Sequence, residues 1–311
     1  MSRNNRNRAQ RQLRQPDSRR HHYVPAGYIG FFAEPRGRNG KLWVWDKTQG
    51  RSWLSKPDKV AWVEDLYRLD PGTPPHAVEE ALAEAEGKII AAIREVDSNP
   101  RKAPTVPQAD AIVSFVALQL VRGPELRQSF EEFAGSLARM TLDVIMSRRE
   151  RFEASVARML AQDSTMRREG LPSYEEVRET LRSEDLQLTL NNGFLTTALL
   201  KPQNAVFGAL AGMHLGFYRV PDEEELVTSS RPVVLAPHPE QPPWMGTGVA
   251  TAKAVMMPLT PKLLFMARPR QHAIIAAPAV PGLASFANYL LSQQSAQTYS
   301  RVRFPFDMAP R

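Results

Sequence analysis

The apolar positions alternate with polar ones near the N-terminus and recur at helical spacing through the middle of the chain. Lys41-Leu42-Trp43-Val44-Trp45-Asp46 alternates as a strand, Lys47-Thr48-Gln49-Gly50 is a turn, and Arg51-Ser52-Trp53-Leu54 returns. This pattern predicts a β-hairpin carrying three tryptophans. Residues 57–70 then lead through Trp62 and Tyr67 to the breaker Pro71-Gly72-Thr73-Pro74-Pro75.

Helices are predicted next. Over 76–97, Val78, Leu82, Ala85, Ile89, Ile90 and Ile93 form one stripe. Residues 107–122 are apolar nearly all round, which predicts a buried helix stopped by Gly123-Pro124. Pro124 suits the first turn of a following helix, expected to reach Arg148 or to run on to Gln162. Ser173-Tyr174-Glu175-Glu176 reads as an N-cap with an acid three residues on. After a helical stretch at 191–210, short strands are expected at 214–219, 226–228, 233–235, 255–257 and 263–266, with a Pro/Gly loop over 237–248. Residues 282–300 read as a closing helix. Strands at both ends of a helical middle make the class α+β, with an N-terminal β-hairpin and C-terminal mixed short strands.

Composition adds three constraints. The 311 residues suffice for a large core, and no run is long and apolar enough for a bilayer span or a secretory leader. No cysteine is present, so disulfides, thiolate metal sites and a cysteine nucleophile are excluded. A cytoplasmic location without membrane attachment is the expectation. The net charge of +7 belongs to one end: residues 1–20 hold seven arginines and one acid, +6, leaving +1 for the rest. With Leu13 as its one large apolar residue, this arm is expected to be disordered, and residues 21–305 to form a single domain. Nucleic acid or another polyanion is the partner such an arm suggests, and a solvated tail is the alternative.

His21-His22-Tyr23-Val24-Pro25 follows the arm at once. With Tyr28, Phe31-Phe32 and Gly40-Lys41-Leu42-Trp43-Val44, it resembles the opening of the bacterial family "domain of unknown function 4238". Gln119-Leu120-Val121-Arg122-Gly123-Pro124 is similar to that family's Q-x-x-R-x-P helix end. Thr228-Ser229-Ser230-Arg231-Pro232-Val233 partly matches its T-S-D-N-P-V turn, and Met257-Pro258-Leu259-Thr260-Pro261 its P-L-S/T-P turn. Asn288 lies in what the resemblance implies is the last helix. Where the family has Asp-Asn, this chain has Ser230-Arg231, a hydroxyl and a cation. The resemblance implies no established activity.

Candidate chemistry follows from these segments. His21 or His22 suits proton transfer near neutral pH, and alternation in an extended segment turns only one of them inward. Thr228, Ser229 and Arg231 gather hydroxyls and a guanidinium in one turn, a set suited to an anion. Gln119 and Arg122 share a helix face, and a buried arginine requires a carboxylate, carbonyls or a bound anion. The function expected is nuclease-like hydrolysis at a phosphate held by Arg122 and Arg231. The alternative is a non-catalytic nucleic-acid or protein interaction module, in a defence or toxin-type system. In a structural reading the same residues only pin chain segments together. Whether the chain is an enzyme stays open. No metal and no cofactor are expected: His76, His214, His238 and His272 lack the spacing of a helical zinc pair. Trp43, Trp45, Trp53 and Trp62 suit either base stacking or a hairpin core.

Overall fold

The computed structural model describes residues 20–67, 77–99, 101–182, 191–242 and 244–303. The arm through residue 19, the breaker at 71–75, His76 and the side chain of Val78 lie outside the described residues. In chain order the elements are β1 (Arg20–His22), the one-turn helix α1 (Ala26–Ile29), β2 (Leu42–Asp46), β3 (Arg51–Ser55), β4 (Trp62–Glu64), α2 (Ala77–Ser98), α3 (Val106–Val121), α4 (Pro124–Met146), α5 (Arg149–Gln162), α6 (Tyr174–Arg182), α7 (Asn192–Leu200), α8 (Gln203–Ala211), β5 (His214–Arg219), β6 (Thr228–Ser229), β7 (Val234–Ala236), β8 (Ala254–Thr260), β9 (Leu263–Arg268), β10 (Ala273–Pro278), α9 (Leu283–Gln294) and β11 (Gln297–Ser300). The class is α+β.

The chain forms two compact units. One combines the chain up to Pro124 with Thr196 onward; the other is Glu125–Leu195. In the smaller unit Phe152 and Val156 of α5 pack with Met146, and Phe152 meets Tyr174 edge-on at 5.7 Å. Ser173 opens α6 as expected: its hydroxyl accepts the Glu176 N–H, and the Glu176 carboxylate accepts the Ser173 N–H at 2.7 Å.

The larger unit holds the sheets. Five strands run β10-β5-β9-β8-β7, parallel between β10 and β5 and antiparallel elsewhere. Four antiparallel strands run β3-β2-β11-β6, and β1 pairs with β4. The centre of the five-stranded sheet is covered on both faces, while β10 at its edge is half-buried. Val255, Met257 and Leu259 of β8 point into a core shared with Tyr28, Ile93, Ile112 and Phe115. Ala254 and Met256 point the other way, toward Ala284, Ala287 and Leu291 of α9. With both faces covered, β8 is apolar without alternation, and all seven of its residues are buried.

Several predicted boundaries move. The helix expected over 282–300 stops at Gln294; Ser295 is extended, and Gln297–Ser300 form β11 between β2 and β6. No glycine or proline marks that stop, and strand pairing of Thr298 and Tyr299 overrides a compatible helical pattern. The stretch 191–210 is two helices, parted at Lys201-Pro202. The long helix from Pro124 ends at Met146, since Arg148 is extended (φ −147°, ψ 139°). In the hairpin the buried face is Leu42, Val44 and Asp46, whereas Trp43 and Trp45 are half-buried on the other face. Arginine guanidinium groups cover three of the tryptophans: Arg20 over Trp62 at 4.5 Å, Arg51 over Trp53 at 5.2 Å and Arg303 over Trp43 at 5.5 Å.

Candidate functional site

The opening motif is fixed by strand alternation. His21 pairs with Val63 of β4 and points inward, 3% exposed, while His22 is half-buried. The Tyr67 N–H donates to Nδ1 of His21 at 2.9 Å, so the neutral ring carries its proton on Nε2. The ring also stacks on Tyr67, with centroids 5.6 Å apart and planes 7° apart. Burial pushes the His22 pKa below its ordinary value of 6.5, and the charges of Arg38 and Arg122 push the same way against a hydrogen bond to the Asp58 backbone. Nε2 of His22 is buried and has no partner among the described residues.

A pH dependence follows. The folded pKa of His22 lies below the unfolded one, so its contribution is fully present above the unfolded pKa. It is lost as pH falls from there through the folded pKa. Denaturant midpoints are expected to drop as pH falls below the ordinary value of 6.5, and His22→Gln should flatten that drop. An identical slope in the variant would refute the assignment.

Pro25 accepts the N–H groups of Tyr28 and Ile29, each at 3.0 Å, and so turns the chain into α1. That turn drives Tyr28 into the core at 0% exposure. Its hydroxyl donates to the Pro258 carbonyl at 2.5 Å, leaving the Thr228 hydroxyl to donate to the tyrosine oxygen at 2.8 Å. Burial pushes the phenol pKa far up, outweighing the Thr228 bond, so the group stays neutral. One side chain thus fastens the opening motif to both C-terminal motif turns.

Arg122 caps α3 and is buried. Nε donates to the Tyr67 hydroxyl at 3.0 Å, Nη1 to Glu86 Oε1 at 2.9 Å, and Nη2 to the His22 carbonyl. Burial opposes the charge, but Tyr67 and Glu86 outweigh it and raise the pKa. Gln119, one turn earlier, is also buried, and its Nε2 has no partner among the described residues.

The other predicted residues gather around α9. The Ser229 hydroxyl accepts from Ser295 Oγ at 2.9 Å and from the Arg231 N–H at 3.2 Å. Asn288 Oδ1 accepts the Val227 N–H at 2.9 Å, and Nδ2 donates to the Glu225 carbonyl at 2.8 Å. Arg231 is exposed and donates to the Gln294 carbonyl at 3.4 Å. Tyr67 therefore links His21 to Arg122, and Arg122 reaches the His22 carbonyl directly and pairs with Glu86. Asn288 lies on α9, and Ser229 and Arg231 bond Ser295 and Gln294 at its end. Tyr28 reaches Thr228.

A cleft of about 380 Å³ opens beside the motif, between α1 and α2. Pro25 and Gly27 line one side and Ala83, Glu86 and Gly87 the other, with Arg38 and Arg94 among the walls. The loop that carries Arg38 is set by two glycines. Gly37 has φ +130°, and a Cβ at Gly40 would stand 1.9 Å from the Pro35 carbonyl oxygen. Neighbouring cations are paired: Arg36 and Arg219 both meet Asp97, at 2.7 and 3.3 Å. Arg38 and Arg94 are exposed and have no side-chain partner among the described residues. Glu86, the carboxylate in the cleft, is already held by Arg122. The sequence reading passed over Arg38, Arg94, Glu86 and Tyr67. No spacing in α2 singles them out, since small residues recur all round that helix, at Ala77, Ala81, Ala83, Ala85, Gly87, Ala91 and Ala92.

The family model described as "Protein of unknown function (DUF4238)" matches residues 20–296. The chain belongs to that family. No curated protein and no solved structure matches it. In this DUF4238 member Ser230 is buried beside β11 while Arg231 is exposed. The Ser230 N–H donates to the Gln297 carbonyl at 2.9 Å, and its hydroxyl accepts the Gln297 N–H at 3.4 Å. Among the described residues no group of three or more His, Asp or Glu is placed to hold a metal ion, and no helix is long and apolar enough to cross a membrane.

Proposed function

We propose that this DUF4238 member is a non-catalytic phosphate-binding module for nucleic acid, with the cleft beside the opening motif as its seat. The observation that carries the reading is the pair Arg38 and Arg94: among the described residues, two guanidinium groups without a side-chain partner line one concave site whose one carboxylate, Glu86, is paired with Arg122. Guanidinium groups present planar donor sets that match phosphate oxygens. The +6 arm joins the body at β1, close in sequence to Pro25 and Gly27 in the cleft wall. Arm and cleft thus each offer positive charge to a phosphodiester backbone.

Binding fits better than hydrolysis because the ring nitrogens of the motif are withdrawn from solvent, His21 being 3% exposed. His21 uses Nδ1 to accept an amide, and Nε2 of His22 is buried. General acid–base chemistry needs a ring nitrogen within hydrogen-bond reach of substrate. Fluorescence anisotropy of a short single-stranded DNA tests the reading in the full chain. Arg38→Gln/Arg94→Gln is expected to weaken binding roughly tenfold at low salt. Equal affinity in the double variant would remove the cleft from the account.

A further inference from the structure

A second concavity, of about 730 Å³, lies in the same unit. Its floor is Ala236, Ala254, Met256 and Met266 of β7, β8 and β9, on the sheet face that carries α9. Ala236 and Ala254 pair across β7 and β8, and Met256 pairs with Met266 across β8 and β9. Phe286 and Leu290 of α9 form one wall. The other wall is the proline-rich loop after β7, latched by Gln241, whose Nε2 donates to the Met245 carbonyl at 2.7 Å and to Thr247 Oγ1 at 2.9 Å. The two small alanines lower the floor, and the methionines give an adaptable apolar lining. The volume is that of a site for one small organic ligand.

The charge at this groove has one sign. Lys253 and Arg268 line it, with His238, and no carboxylate does so among the described residues. The ammonium of Lys253 has no partner among the described residues. Arg268 donates from Nη2 to the Tyr218 hydroxyl at 2.5 Å, while its Nε–H is buried without an acceptor among the described residues. A buried donor of this kind calls for an acceptor, and an ionised oxygen supplies the strongest one.

The geometry points to a binding site for a small apolar monocarboxylate, its hydrocarbon body on Met256, Met266 and Phe286 and its carboxylate between Lys253 and Arg268. The assignment rests on this groove alone and is independent of the phosphate cleft. Alkyl and aryl acids share the required chemistry.

Titration calorimetry of the full chain tests it, with decanoate and 2-naphthoate as carboxylate probes, below their aggregation limits. At least one is expected to bind, and decanol, which lacks the charge, at least about tenfold more weakly than decanoate. A tighter decanoate marks an alkyl ligand, and a tighter naphthoate an aryl one. Lys253→Gln changes an exposed residue and is expected to weaken the better acid by about three- to tenfold with an unchanged melting temperature. Phe286 is 49% exposed, so Phe286→Ser should weaken the same acid without unfolding the chain. Arg38→Gln/Arg94→Gln should leave acid binding unchanged. The proposal fails if neither acid binds, if decanol binds as well as decanoate, if decyl phosphate binds more tightly than decanoate, or if neither Lys253→Gln nor Phe286→Ser weakens binding.

Discussion

Arg122→Ala is expected to destabilise the larger unit by about 3–5 kcal/mol, the range for stranding one partner of a buried ion pair. The Arg122 side chain is 2% exposed and that of Glu86 17%, so alanine leaves a largely desolvated carboxylate without its cation. The Tyr67 hydroxyl and the His22 carbonyl lose their donor at the same time. All five tryptophans lie in the larger unit, so denaturant unfolding followed by tryptophan fluorescence reports on it directly. Removing both partners separates the charge effect from packing: Arg122→Met/Glu86→Gln should be markedly more stable than Arg122→Ala alone. If Arg122→Ala unfolds at the wild-type midpoint, the arginine is not structural and its role as a ligand contact returns.

Tyr28→Phe carries the second large effect. The substitution keeps the ring, which meets Phe32 at 5.7 Å and Phe115 at 5.2 Å, and deletes only the hydroxyl. Thr228 and the Pro258 carbonyl are then left without their buried partner, at an expected cost of about 1–3 kcal/mol. Tyr28→Ala, which also empties the aromatic site, should cost about 3–5 kcal/mol. The contrast with Thr228→Val is informative, because it removes the other hydroxyl of the same bond. The double variant with Tyr28→Phe should cost less than the two single effects summed. Full additivity would mean that the two hydroxyls do not act as one unit.

Much of the architecture is written in local pattern. The Leu42–Asp46 alternation, the apolar α3, the Pro124 start and the Ser173 cap each settle their element through nearest neighbours. What local pattern leaves out is long-range pairing. β11 carries a helix-compatible sequence and becomes a strand because β2 and β6 flank it. β10, rich in alanine, has a weak strand signal of its own and gains its conformation alongside β5. The same limit applies to the site. That His21 and His22 divide into inward and half-buried follows from strand alternation. That Arg122 meets Glu86 and Tyr67 requires α2, α3 and the segment after β4 to be docked. Arg38 and Arg94 are unremarkable in sequence, because an unpaired arginine differs from a paired one only in what the fold sets beside it.

The central claim is that the cleft at Arg38 and Arg94 binds a phosphate backbone apart from the arm. The most direct test is the salt dependence of single-stranded DNA binding by a chain beginning at Arg20, wild type against Arg38→Gln/Arg94→Gln. The account predicts measurable binding by the wild-type body, and a slope of log K against log salt that falls in magnitude by about 1.4 when both arginines are removed, about 0.7 per phosphate contact on a single strand. No binding by the body, or an unchanged slope, would contradict it and assign any affinity for nucleic acid to the arm.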